Sequence, residues 1–511
     1  MNVEQFINKP HSSIHKAYEN SFLHMRPAPE YANGEVVLAS TYRQLSSKVS
    51  HVSESSVPKL GRALNKRLEK GKRPSGSAGG TNIEAEDWKQ IVTGTLRSPK
   101  QPNQASKRFL QISPVVPDAS IYSLSARLSA NSWNPGALVA KLVQFGSASP
   151  DEAQSLWSTL FQALDIDEQD DLWARFLSRE FGSWREGEHT QFFSQPSILG
   201  ADTSVSGWQT DARAMPAQQF VFDLKSIIDL KKHLTRRQWI SMLESLLRLG
   251  CASHVMWTSS ANTSVFSALM RVLNGEDPDA TIRSIGDGGI NEGYLRLGQY
   301  SASALSEIAT GFIKSRLGIN LLLCSLEEKQ GSEFVEGTLE NFSTIEALIR
   351  KLPGSLESVD IQKFRQNYQN VLESDHRLIS GRKGIASNLK EFLRHVLGQR
   401  QTSEPGLDSY DQGYFLAKRG LHKSARWEVS IGPVAVLSLV HACTHDRVGT
   451  RNVDDFCRHI KKYGITVSVE DLARSSLGLT LRNLGLILDS PDAEGGMVIV
   501  SPFESILRGN S

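Results

Sequence analysis

The densest group of chemistry-bearing side chains lies near the C-terminus, where His441, Cys443 and His445 are followed by Cys457 and His459. Imidazole and thiolate are the donors of a structural zinc, which needs four of them converging tetrahedrally. The spacing opposes convergence, because residues two apart on a helix point about 200° from each other. Both groups fall on apolar helical stretches, so packing is the expected role. Asp165, Asp167, Gln169 and Asp171 open like a calcium loop. Its sixth position is Asp170 instead of Gly and its twelfth is Phe176 instead of Glu, which leaves a solvated connector between helices.

Other combinations are equally incomplete. Glu327-Glu328-Lys329 follows the apolar run Ile319–Leu323, which would set carboxylates and a lysine at a strand end. Metal-assisted nuclease chemistry needs a further acid in space, and the sequence locates none. Cys251 and His254 lie three apart, but Cys251 follows an apolar helix and reads as buried packing. Neither G-x-S-x-G nor G-x-x-x-x-G-K-[ST] occurs, and the glycine-rich stretch 286–293 carries Asn291 where a dinucleotide loop needs Gly. The expectation is a non-enzyme without cofactor or metal, the alternative being a nuclease whose carboxylates are dispersed along the chain.

Charge is more informative. The chain has 511 residues and a formal charge of +2, from 57 Lys and Arg against 55 Asp and Glu. A uniformly basic or acidic chain is thereby excluded, but local patches are not. Residues 51–110 hold 12 basic and 5 acidic residues, a net of +7. The densest part contains Lys59, Arg62, Lys66, Arg67, Lys70, Lys72 and Arg73, with Glu69 as its one acid. Leu60, Leu64 and Leu68 recur every four residues and define one helical face among these cations. Such a segment can lie along nucleic-acid phosphates without reading bases.

The elements around these features divide the sequence into four stretches. Residues 1–25 suit a short helical segment, and 26–110 reads as a basic flexible arm, with Pro74–Gly80 the most linker-like tract. Residues 111–405 read as a central helical domain. Helix starts are expected at Ser149 and at Thr235, the second stopping at Gly250, with further apolar stripes at 305–313, 361–372 and 389–397. Four cysteines in a chain of this length suggest a reducing, cytoplasmic setting. The first residues lack an apolar leader pattern, so no secretory signal is expected, and no apolar run approaches the roughly 20 residues of a bilayer span.

Residues 406–511 form a different unit. A hairpin over 414–431 precedes helices at 433–445, 452–463 and 468–484, and two short strands at 486–488 and 497–500 flank a turn-rich loop. Three short helices followed by a hairpin resemble a winged helix-turn-helix domain. The resemblance implies DNA contact through Arg474, Ser475 and Arg482 on the third helix. Against it, this unit holds 12 basic and 12 acidic residues, and Glu470 and Asp471 stand at the helix start. That neutrality favours protein docking, since phosphate neutralisation supplies much of the affinity for DNA.

The fold expected is therefore mainly α, a helical body carrying a C-terminal winged-helix-like α+β domain. With its 235–250 helix and the 468–500 unit, the chain loosely resembles accessory subunits of bacterial antiviral-defence operons. The resemblance implies a non-enzymatic subunit working with DNA or with a protein partner such as a helicase or nuclease. A pure scaffold is the third class.

Overall fold

The computed structural model describes residues 1–27, 33–46, 64, 66, 70, 83–96, 98, 112–122, 134–183, 196, 198, 199, 215–286, 293–400, 411–420, 425–445, 450–472, 475–488 and 497–503. The architecture is mainly α, with small sheets concentrated in a C-terminal α+β region. The helices used below are α1 (Val3–Asn8), α2 (Gly34–Leu45), α3 (Ala85–Leu96), α4 (Pro135–Gly146), α5 (Pro150–Leu164), α6 (Leu172–Ser183), α7 (Met215–Asp229), α8 (Arg236–Leu273), α9 (Ser301–Gln330), α10 (Gly384–Leu397), α11 (Pro433–Thr444), α12 (Val453–Lys461), α13 (Val469–Leu472) and α14 (Ser476–Asn483). Among the described residues no helix is long and apolar enough to cross a membrane.

Two long helices organise the body. α8 begins where the sequence indicates: Thr235 accepts the Gln238 N–H, and the Gln238 side chain answers the Thr235 N–H. It does not stop at Gly250. The helix runs on to Leu273, and the residue that ends it is Gly275, whose φ of +93° suits a glycine. Gly250 serves close approach instead. A Cβ built there would lie 2.4 Å from the buried ring of Phe220 on α7. Gly318 does the same on α9, where a Cβ would lie 2.2 Å from Phe266 of α8. Glycine thus lets both long helices pack closer than any side chain would permit.

α9 also absorbs the apolar run that the sequence left as a strand. Ile319–Leu323 is helical and buried, so Glu327, Glu328 and Lys329 stand on the last turn of a helix. An apolar run of five residues cannot by periodicity alone be told from a buried helix segment.

The stretch 26–110 departs from the arm expectation. α2 lies inside it and is buried along nearly its whole length, with Val37, Leu38, Tyr42 and Leu45 fully enclosed. One apolar cluster runs from Val3 through α2, α4, α7, α8 and α9 to Ile499, so the N-terminal, central and C-terminal stretches share a core. A second, smaller cluster joins Leu64 to Trp88, Val92 and Leu96 of α3, to Ile112 and Val116, and to Ala174, Leu177 and Phe181 of α6. Trp88 Nε1 donates to Glu180 Oε1 at 2.9 Å beside it. Pro74–Gly80 lies outside the described residues.

The strands are short. They are β1 (Leu295–Arg296), β2 (Leu416–Lys418), β3 (Trp427–Val429), β4 (Arg451–Asn452), β5 (Ile465–Thr466), β6 (Ile487–Leu488) and β7 (Val498–Ile499). β2 and β3 form the expected antiparallel hairpin, with Ala417 opposite Glu428. β4, β7 and β6 make a three-stranded antiparallel sheet in the order β4-β7-β6. β1 pairs in parallel with β5, which stitches the C-terminal region to the loop before α9.

Candidate functional site

The C-terminal α+β region follows the order α11, β4, α12, β5, α13, α14, β6, β7. The expected third helix is broken in two. Leu472 ends α13, and the Ser475 hydroxyl accepts the Gly478 N–H at 3.1 Å to open α14. Gly478 is therefore in the first turn of a fresh helix and not in the middle of a long one, where it would cost about 1 kcal/mol. Ser475 is committed to this cap. Gly485, at φ +67°, closes α14: the Leu486 N–H bonds the Leu481 carbonyl at 2.8 Å and the Gly485 N–H bonds the Arg482 carbonyl at 2.9 Å.

Three leucines of α14, its C-terminal turn and β6 stand in solvent. Leu479 is 57% exposed, Leu488 59% and Leu484 38%. Asn483 and Ser476 are the exposed polar residues beside them on α14. Arg482 is half-buried, with its Nη2 3.7 Å from the Met497 sulfur on the entry to β7. Arg474 lies outside the described residues, as do Lys59, Arg62, Arg67, Lys72 and Arg73. In the basic segment Leu64 is buried while Lys66 and Lys70 are exposed.

The His and Cys group divides between two contacts, His459 with Cys443 and the His441 ring with the His445 ring at 5.1 Å, each tied to further partners. His459 on α12 meets Asp223 of α7, with Nε2 2.9 Å from Oδ2. Burial pushes the imidazole pKa down, but the Asp223 carboxylate, joined by Cys443, outweighs it and holds His459 up to about 9. Tyr463 donates to the same Asp223 oxygen at 2.7 Å, and Gln219 donates to the other at 2.6 Å. His441 has Nε2 3.1 Å from the Ser226 carbonyl, and burial takes its pKa down to about 4. His445 pairs with Asp229 at 3.1 Å. Among the described residues no three His, Cys, Asp or Glu side chains converge on a metal position.

The other candidates are likewise engaged. Glu327 accepts from the Met1 ammonium at 2.7 Å and meets His15 at 3.0 Å, Glu328 accepts the Val3 N–H at 2.7 Å, and Lys329 pairs with Asp360 at 2.9 Å. Glu327 and Glu328 thus fasten the N-terminal stretch to the end of α9, while Lys329 ties that end to the helix Ser358–Glu373. Asp167 and Asp170 pair with Lys231 at 2.8 and 3.4 Å, and Asp171 caps α6 through the Ala174 N–H. Cys251 is fully buried with its thiol pKa pushed up, and His254 is stacked on Trp257 with burial lowering its pKa to about 3. In the glycine-rich loop, residues 287–292 lie outside the described residues.

Two features escaped sequence reasoning. Asp223 carries no signal in a helix of ordinary composition, and its role emerges only once α12 folds back on α7. The exposed leucines of α14 and β6 look like core positions in a helical pattern, and only their accessibility separates them. Compared with protein-family models and with curated proteins, the chain finds no match.

Proposed function

We propose that the protein is a non-enzymatic accessory subunit that docks on a DNA-processing protein, such as a helicase or nuclease, through the α14–β6 face of a winged-helix-like module. The single observation behind this reading is the exposure of Leu479, Leu484 and Leu488 where a groove-reading helix would present cations and hydrogen-bond donors. The order α11, β4, α12, β5, α13, α14, β6, β7, with the sheet arranged β4-β7-β6, supports the winged-helix likeness. Arg482 turns back along its own module, and formal neutrality of 406–511 adds to the case for a protein surface. The sequence resemblance to antiviral-defence accessory subunits directs the class of partner.

A second contact, with nucleic-acid phosphates, is favoured by the basic segment. Leu64 anchors in the second core while Lys66 and Lys70 face outward. Such binding is non-specific and falls steeply with salt.

The test is purification from the native source, followed by gel-shift titration of duplex DNA over a range of salt. The reading expects a nucleic-acid enzyme to co-purify with wild type and to be lost from the Leu479→Asp, Leu488→Asp variant. Metal-dependent cleavage by the pure chain, abolished by chelator, would establish an enzyme and overturn it.

A further inference from the structure

At Gly318 the two long helices are drawn together, but a cleft opens between them nearer the start of α9. Its volume of about 690 Å³ falls in the range of small-molecule sites. Met256, Ser259 and Thr263 line it from α8, and Tyr294 lines it from the loop before β1. From α9 it receives a face that runs from Ala304 to Lys314.

That face carries one acid and one base, Glu307 and Lys314, and among the described residues no other charged side chain lines the cleft. Seven residues are almost two full helical turns, so both stand on one side of α9. At a spacing of three or four they would pair with each other, but seven positions separate their Cα atoms by about 10.5 Å along the axis. Among the described residues neither side chain meets a protein partner. Between them on the same face stands Gly311, four positions after Glu307 and three before Lys314. A Cβ there would lie 3.1 Å from the Thr263 hydroxyl, so glycine keeps the floor between the two charges bare.

The hydroxyls on the α8 side have already committed their protons. Ser259 Oγ donates to the Val255 carbonyl at 2.8 Å, and Thr263 Oγ1 donates to the Ser259 carbonyl at 3.1 Å. What remains for a ligand is their lone pairs, so the ligand must bring the donors. The cleft therefore offers a carboxylate at one end, an ammonium at the other and acceptors along one wall.

We propose that this cleft binds a short peptide with free termini, its ammonium on Glu307, its carboxylate on Lys314 and its backbone N–H groups turned to Ser259 and Thr263. A ligand of one charge sign would leave one wall charge unused, whereas a zwitterion engages both. The length follows from the spacing: an extended chain advances about 3.3–3.6 Å per residue, so three residues span roughly the 10 Å between the anchors. A single amino acid is too short to reach both. Glu307 and Lys314 are exposed, so either ion pair alone is weak and affinity depends on holding the two ends together. The site shares no residue with the α14–β6 face, and the two assignments stand or fall separately.

The experiment is calorimetric titration of the full chain with trialanine, N-acetyl-trialanine, trialanine amide and free alanine. Trialanine binds, and each of the other three binds at least about fivefold more weakly. Glu307→Gln weakens trialanine and erases the preference over the N-acetyl peptide, while Lys314→Gln weakens it and erases the preference over the amide. Both are surface changes that leave the melting temperature where it was. The double variant Glu307→Lys with Lys314→Glu recovers trialanine binding, because the peptide can lie in the reverse direction. No binding by wild type, or equal binding of free and blocked peptides, overturns the site. Equal binding by wild type and both Gln variants also overturns it, and alanine binding as tightly as trialanine overturns the assigned length.

Discussion

His459 and Asp223 stand 236 positions apart in sequence and 2.9 Å apart in the fold, a buried ion pair joining the C-terminal α+β region to α7. Tyr463 and Gln219 add donors to the same carboxylate, so its oxygens are satisfied from both sides of the junction. A buried pair of this kind is weak evidence of net stabilisation, but removing one member leaves the other uncompensated. Asp223→Ala is therefore expected to cost about 3–5 kcal/mol, and Asp223→Ala with His459→Leu distinctly less than the sum of the single changes. Urea denaturation of the four proteins of this cycle measures it.

The same pair gives a signed pH dependence. His459 has a folded pKa of about 9, above the 6.5 of an ordinary histidine. Its contribution is fully present below about pH 6.5 and is lost as pH rises through about 9. His254 and His395, lowered to about 3, and His24 and His441, lowered to about 4, act in the opposite sense. The unfolded chain takes up their protons first, so they remove stability as pH falls from about 6.5 toward those values. Stability against pH is expected to decline on both sides, and His459→Gln is expected to flatten the alkaline side alone. Denaturant midpoints from pH 5 to about pH 9.5 report it.

The contrast between α5 and α2 explains what the sequence disclosed. α5 announced itself by Ser149, Pro150 and Glu152, and by an apolar stripe ending at Leu164. α2 gave no stripe because it is enclosed on nearly all sides, and a helix buried all round loses the 3.6-residue alternation of polar and apolar positions. Gly250 misled for a related reason, since a glycine chosen for helix contact looks identical in sequence to one chosen for a helix end. At the C-terminus three helical stretches and the closing strands were legible from local caps and turns, whereas β4, β5 and the division between α13 and α14 were not. The Asp223 junction and the β1–β5 pairing depend on residues far apart in the sequence, which no local pattern encodes.

Gly250 and Gly318 permit a graded comparison. Alanine has the better helix propensity by about 1 kcal/mol, so propensity alone expects both Gly→Ala changes to stabilise. At Gly250 the new methyl meets Phe220, a fully buried ring with no room to move, and Gly250→Ala is expected to destabilise by about 1–3 kcal/mol. At Gly318 the obstacle is Phe266, which is only partly buried and can turn outward. The loss at Gly318 is expected to be the smaller of the two. Thermal melts of both single variants decide the order, and equal losses would contradict the packing argument.

Leu479 and Leu488 separate docking from folding. Both are more than half exposed, so replacing them with Asp removes little buried area and is expected to change stability by no more than about 0.5 kcal/mol. Leu477 and Leu481, on the buried side of the same helix, are expected to cost about 2–5 kcal/mol as Ala. A partner that docks on the α14–β6 face should lose affinity by about tenfold or more with Leu479→Asp, while the denaturant midpoint stays at its wild-type value. Lys66→Gln with Lys70→Gln should leave that affinity intact and instead flatten the salt dependence of any duplex binding, by up to about 0.9 in log–log slope for each phosphate contact removed. Measured together, partner affinity, duplex salt slope and midpoint assign each surface its own role, and a fall in the midpoint of Leu479→Asp would place that leucine in the core after all.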